Sequence, residues 1–137
     1  MKEFILFAKK ARTSSDFDLL DLKSAGRMDL VCRFISSALC VSNGIRKDLI
    51  VYIAMCGAKY PPKIISFYGN EILNFEPDEY EIAKKIKSAL KLGENLSLNE
   101  EKKSEAGVII VKKSFEAFIK EKSEKKFLFI LILKEEI

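Results

Sequence analysis

The hydrophobic pattern divides this chain into strand-length apolar runs and stripes of helical period. Residues 2–8, KEFILFA, read as a first strand. Residues 48–56, DLIVYIAMC, form a near-continuous apolar run, the pattern of a central strand covered on both faces. KIISFYG, GVIIVKK and KFLFILIL supply further strands, and NEILNF reads as a short strand or a turn. Over residues 28–42 the positions Val31, Ile35, Ala38, Leu39 and Ser42 recur at helical spacing, with Asp29, Arg33, Ser36 and Ser37 on another face. Asn43-Gly44 is suited to end that helix. Tyr80, Ala83, Ile86 and Leu90, with Ile82 and Ala89 beside them, mark a second helix. Pro77 suits its first turn, Asp78 and Glu79 complement its dipole, and Gly93 is a natural stop. SFEAFIKEK reads as a short third helix capped by Ser114, with Phe115, Phe118 and Ile119 inward. Residues 11–26 and 94–106 read as polar loops.

The order is strand, helix, strand, strand, helix, strand, helix, strand. It predicts an α/β domain with a largely parallel sheet flanked by helices. At 137 residues the chain is read as a single domain with a real core. In open α/β sheets ligands bind beyond the carboxyl ends of the strands, which makes the loops after those ends the places to search.

Composition narrows the chemistry. The chain has no histidine, which removes Ser-His-Asp and Cys-His catalysis and imidazole metal ligands together. Any general base is then Asp, Glu, Lys, Tyr or the substrate itself. Cys32, Cys40 and Cys56 are widely spaced in apolar contexts and are expected to be buried free thiols; no disulfide framework or zinc pattern is present. No glycine falls in a GxGxxG or GxxxxGK arrangement. The longest apolar run, FLFILIL at 127–133, is too short to span a bilayer. No secretory segment is visible, so the expectation is a cytoplasmic protein with no membrane partner. The net charge of +4 permits a nucleic-acid partner without demanding one.

The richest chemistry lies in SAGRMDLVCRFISSAL, residues 24–39. A Ser-Ala-Gly turn delivers Arg27 and Asp29 to the start of the first helix, and Arg33 follows one turn after Asp29. Such a group is either an ion pair fastening helix to loop or a grip for an oxyanion, for which arginine offers a planar fork. TSSD at 13–16 is a helix cap or Asx turn on pattern alone. Lys112 and Lys113 end a strand, where they are a solvated pair or touch an RNA backbone.

Taken in order, TSSD, GRMDLVCRFISSAL, IRKD before an apolar strand, PPKIISFYG, EPDEYEIAKKIKSALK and GVIIVKKSFEAFI resemble the archaeal tRNA pseudouridine-54 N1-methyltransferases. These belong to the SPOUT superfamily of knotted, S-adenosylmethionine-dependent RNA methyltransferases. The GR-[ML]-DL-x-CR element followed by IR-[KR]-D is the specific part. The resemblance implies methyl transfer from S-adenosylmethionine to N1 of pseudouridine 54 in the T-loop of tRNA. It makes Asp29 the candidate to orient or deprotonate the base, with Arg27 beside it as a second catalytic candidate. Arg27 and Arg33 would hold RNA phosphate or orient Asp29. Ser15 and Asp16 would line the substrate region with Lys112, which stands where arginine is expected. Leu133 matches the cofactor's edge.

The family's segment after the strand matching FLFILIL threads the trefoil knot and supplies most cofactor loops, including a Gly-Asp-His-type turn. It has no counterpart in these 137 residues. The expected architecture is therefore SPOUT-like but truncated before the knot, with activity impaired in so short a chain. SPOUT proteins usually pair as homodimers through the knot region. Two other readings compete: a non-catalytic tRNA-binding remnant, and a small α/β interaction module whose arginines are structural.

Overall fold

The apolar run predicted to be a central strand lies in the middle of a six-stranded sheet. The structure, a computed structural model, describes residues 2–42, 44–122 and 128–132, the last five by backbone alone. Asn43 and Leu133 lie outside the described residues. In chain order the strands are β1 (Lys2–Ala8), β2 (Cys40–Val41), β3 (Gly44–Ile45), β4 (Leu49–Met55), β5 (Lys63–Tyr68), β6 (Glu101–Glu105), β7 (Val108–Val111) and β8 (Leu128–Ile132). The helices are α1 (Met28–Leu39), α2 (Glu79–Leu92) and α3 (Phe115–Lys122), with one 3₁₀ turn at Leu22–Ser24.

The α/β layering expected from the pattern is present, and the sheet within it is mixed. Its order is β6-β7-β5-β4-β1-β8. β1 runs parallel to both β4 and β8, whereas β4–β5, β5–β7 and β6–β7 are antiparallel. Connection length explains the departure from a largely parallel sheet. Residues 56–62 alone join β4 to β5, and Ala106-Gly107 joins β6 to β7; parallel crossovers need a dozen or more residues. β1 reaches β4 through α1, which is long enough.

Alternation within the strands feeds two cores. Leu49, Val51, Ile53 and Met55 of β4, with Ile65 and Phe67 of β5, pack against Val31, Ile35 and Leu39 of α1 and Ile82, Ile86 and Leu90 of α2. The opposite face carries Ile5, Tyr52, Ala54, Ile64 and Val111 against Phe118 of α3. Phe115 and Ile119 are partly buried there, as predicted.

Several local expectations are corrected. Helix α1 ends at Leu39, and Cys40–Val41 instead pairs with Gly44–Ile45, leaving Ser42 exposed. Pro77 precedes the α2 N-cap, which is Asp78. Tyr80 is 41% exposed rather than part of the buried stripe. Residues 101–105, expected to be loop, form the edge strand β6. Of the cysteines only Cys32 is buried; Cys40 is half-buried and Cys56, just beyond the end of β4, is exposed. All three are free, and burial pushes the Cys32 thiol up to about 12.

Candidate functional site

Three backbone segments meet at the carboxyl ends of the parallel strands β1 and β4. Gly57 N–H donates to Ala11 O at 2.9 Å, Thr13 N–H to Ala58 O at 2.8 Å, and Arg12 N–H to Ala25 O at 3.2 Å. Thr13 Oγ1 donates to Gly57 O at 2.7 Å and accepts from Tyr60 N–H at 2.8 Å. Glycine is required at two of these contacts. A Cβ on Gly26, whose φ is +67°, would lie 1.7 Å from Lys10 O; one on Gly57 would lie 2.3 Å from the same oxygen. The loop after β1, the turn before α1 and the loop after β4 are thus clamped together where an α/β sheet binds its ligands.

Asp16 stands on this clamp. It accepts from Lys59 at 2.8 Å, from Ser14 Oγ at 2.6 Å and from Arg12. The Lys59 bond, helped by Ser14 and Arg12, holds its carboxyl far below the usual carboxylate range. Arg12 Nε is buried without a hydrogen-bond partner among the described residues. A small cavity of about 190 Å³ opens here, lined by Arg12, Asp16, Phe17, Asp18, Asp21 and Ser24 among others. Ser15 turns the other way, toward α2, and donates to Glu94 at 2.9 Å.

The arginine group at the start of α1 is well defined. Arg27 is the N-cap in a left-handed conformation, with φ of 61°. Its Nε and Nη2 donate to the two oxygens of Asp29, each at 3.0 Å. Asp29 is 6% exposed, and the Arg27 bonds hold its carboxyl below the ordinary range against the cost of burial. Arg33 is within 3.9 Å of Asp29 but bonds mainly to Glu79 of α2, at 2.7 Å. The spacing rule thus brings Arg33 and Asp29 near each other, while the closer partner comes from another helix. The adjoining depression, about 440 Å³, is lined by Asp21, Asp29, Asp78 and Glu79 against Lys23 and Arg33.

Lys112 follows β7 at the same end of the sheet, opposite the start of β5. Beside it is Lys63, 1% exposed, whose ammonium donates to Tyr60 O. Burial first, and then the Lys112 charge, push the Lys63 amine down. The structure therefore gathers Ser15, Asp16 and Lys112 on loops at one end of the sheet. It places Arg27, Asp29 and Arg33 as an ion-paired group round the corner. Leu133 lies outside the described residues.

Pattern reading overlooked Arg12, Lys59, Lys63 and Glu94. Arg12 adjoins TSSD and Lys59 adjoins the Pro-Pro turn, so their positions in loops were visible, but their convergence on Asp16 depends on the fold. Among the described residues no three His, Cys, Asp or Glu side chains are grouped to hold a metal, and no helix is long and apolar enough to cross a membrane.

Residues 1–136 match the family described as "Putative SAM-dependent RNA methyltransferase". Curated relatives agree. The tRNA (pseudouridine(54)-N(1))-methyltransferase of Methanocaldococcus jannaschii is 41% identical over 128 residues, covering 90% of this chain and 62% of the relative. Its namesakes from Thermococcus kodakarensis and Methanococcus aeolicus are 40% and 44% identical, over 96% and 89% of this chain and 68% and 59% of their own lengths. The chain thus spans about three-fifths of the length of the relatives it matches. With a match along nearly all of its residues and with its loops clamped at the carboxyl ends of parallel strands, the chain belongs to this family of SAM-dependent RNA methyltransferases.

Proposed function

We propose that this chain serves the N1-methylation of pseudouridine 54 in tRNA. The observation that carries the reading is the identity of about 40% with relatives of that printed activity, over 90% or more of this chain. The reaction replaces the N1 proton of pseudouridine by a methyl group from S-adenosylmethionine. The cavity at the carboxyl end of β1, about 190 Å³, is below the ~300–1,000 Å³ usual for small-molecule sites. That cavity is too small by itself to hold the whole cofactor.

The chain's own part is positioning. Asp16 and Asp29 are both held ionised by cations. That suits either to accept a hydrogen bond from the N1–H and fix the base's orientation. It also makes both weak bases, so their part is to orient the N1–H, and the proton passes to bulk solvent as the N1–methyl bond forms and the S–methyl bond breaks. Arg27 acts through Asp29, and Arg33 braces α1 against α2. Ser15 and Lys112 flank the entry of the substrate loop.

The test is transfer of labelled methyl from S-adenosylmethionine to two tRNA transcripts, one with pseudouridine and one with uridine at position 54. Label in the pseudouridine transcript alone is expected, and Asp16→Asn, which removes the orienting carboxylate, should lower kcat by about 10²-fold. Label in neither, with no S-adenosylmethionine binding by calorimetry, overturns the reading. Salt-sensitive tRNA binding without transfer would favour the RNA-binding remnant.

A further inference from the structure

Two depressions flank Leu19 and have opposite electrostatic character. The one at the start of α1 is lined by four carboxylates, Asp21, Asp29, Asp78 and Glu79, against Lys23 and Arg33, and Arg33 already bonds Glu79. A polyanion meets net repulsion there. The second, of about 390 Å³, lies between α2 and the loop after β1 and is lined by Ser15, Leu19, Lys84, Lys87, Ser88 and Lys91. No carboxylate lines it.

We propose that this groove, through Lys84, Lys87 and Lys91, holds the phosphate backbone of the tRNA. The inference rests on the tRNA reading above and gives it a surface. Positions 84, 87, 88 and 91 fall on one helical face, opposite the buried stripe of Ile82, Ile86 and Leu90. The three ammonium groups extend over about 10 Å of helix axis. One strand of a duplex presents a phosphate about every 3.4 Å of axis, so the row matches about three phosphates.

The row is also partly preset. Lys87 Nζ donates to Phe17 O at 2.6 Å and lies 5.3 Å from the centre of the Phe17 ring. Lys84 lies 5.7 Å from the Tyr80 ring centre and 3.4 Å from Glu81, while Lys91 is exposed. Glu81 and Glu94 lie toward the two ends of the row, the latter already accepting from Ser15. Through Ser15 the groove joins the loop that carries Asp16, so a strand lying along α2 leads directly to the clamp.

Binding of an unmodified tRNA transcript is measured by fluorescence anisotropy across a salt series. Each phosphate contact contributes about 0.7–0.9 to the slope of log K against log salt. The double variant K84A/K91A is expected to lower that slope by about 1.4–1.8. K102A/K103A, which removes the same charge from the exposed strand β6, is expected to leave the slope unchanged. Circular dichroism checks that both variants fold. An unchanged slope in K84A/K91A, or an equal fall in K102A/K103A, overturns the groove while leaving tRNA binding intact. If the unsubstituted chain shows no salt-dependent tRNA binding, both the groove and the tRNA reading fall.

Discussion

Removing the Arg27 guanidinium leaves the Asp29 carboxylate, 6% exposed, without its two-point partner. Arg27→Ala is therefore expected to cost about 2 kcal/mol at pH 7. The sign of its pH dependence follows from the lowered Asp29 pKa. The paired carboxylate stabilises the folded chain above its unfolded value of about 3.9, and this is lost as the pH falls through the folded value. The gap between the two proteins in urea denaturation should narrow below about pH 4; a gap independent of pH would show that the pair is not its source. Lys63 has the opposite balance. Its buried amine is pushed down, so the folded state disfavours its charge. Lys63→Met is expected to be the more stable protein at pH 7, by about 1 kcal/mol. The advantage should shrink as the pH rises toward about 10.4, where the unfolded amine also loses its proton. Urea midpoints at pH 7 and pH 9.5 test this, and a less stable variant at pH 7 refutes it.

At the scale of elements, the clamp and the edge strand make separate predictions. Gly26→Ala puts a methyl group 1.7 Å from Lys10 O in a backbone with φ of +67°, so the turn before α1 must move. A loss of about 2 kcal/mol or more in denaturation is expected, with methyl transfer falling further than stability alone explains. On β6, Glu101, Lys102 and Lys103 are exposed along the sheet edge, where charge discourages pairing with another chain. K102V/K103V should increase light scattering at high protein concentration without weakening the monomer's fold; unchanged scattering would show that these charges do not guard the edge. The same charges explain why β6 was unreadable in the sequence. A strand at a solvated edge has no apolar alternation to display, whereas β4, buried on both faces, announced itself. Helix α2 was legible because its apolar stripe, the acidic residues at its start and Gly93 agree, although Asp78 is its N-cap and not a first-turn residue. Local spacing pointed to Arg33 as the partner of Asp29; that Arg27 is the closer partner, and that Arg33 bonds Glu79 across 46 positions of chain, depends on the fold. The α/β layering was legible, while the antiparallel pairings of β5, β6 and β7 turn on short connections that the apolar runs by themselves do not display.

For the whole molecule, the parallel half of the sheet carries the candidate site and the antiparallel half, β5, β7 and β6, forms a wing beside it. A few polar side chains tie α3 to this frame. Lys122 Nζ donates to Glu3 at 2.8 Å, and Tyr52 OH donates to the same oxygen at 2.6 Å. Burial, with Glu3 next, pushes the Tyr52 hydroxyl well above its usual range, so it stays a donor at any physiological pH. Lys122→Met is expected to loosen α3, seen as faster amide exchange over residues 115–122 with little change in β6 and β7. Uniform exchange across the chain would show instead that α3 and the sheet open as one unit.

The pairing of β1 with β8 joins Glu3 to Leu128, while β6 and β7 close on each other between Glu101 and Val111. The sheet's most local pairing is thus at its edge, and its most distant one is beside the strand that carries the clamp. Such long loops are entropically late to close. During synthesis β1 waits for its second neighbour until residue 128 and beyond has been made, on the order of 10 s at ribosomal rates. Throughout that interval β1 offers an open edge to any other chain. The protein therefore passes through an interval, set by its topology, in which the strand that carries the clamp lies at an open edge, and that interval ends when β8 pairs with β1.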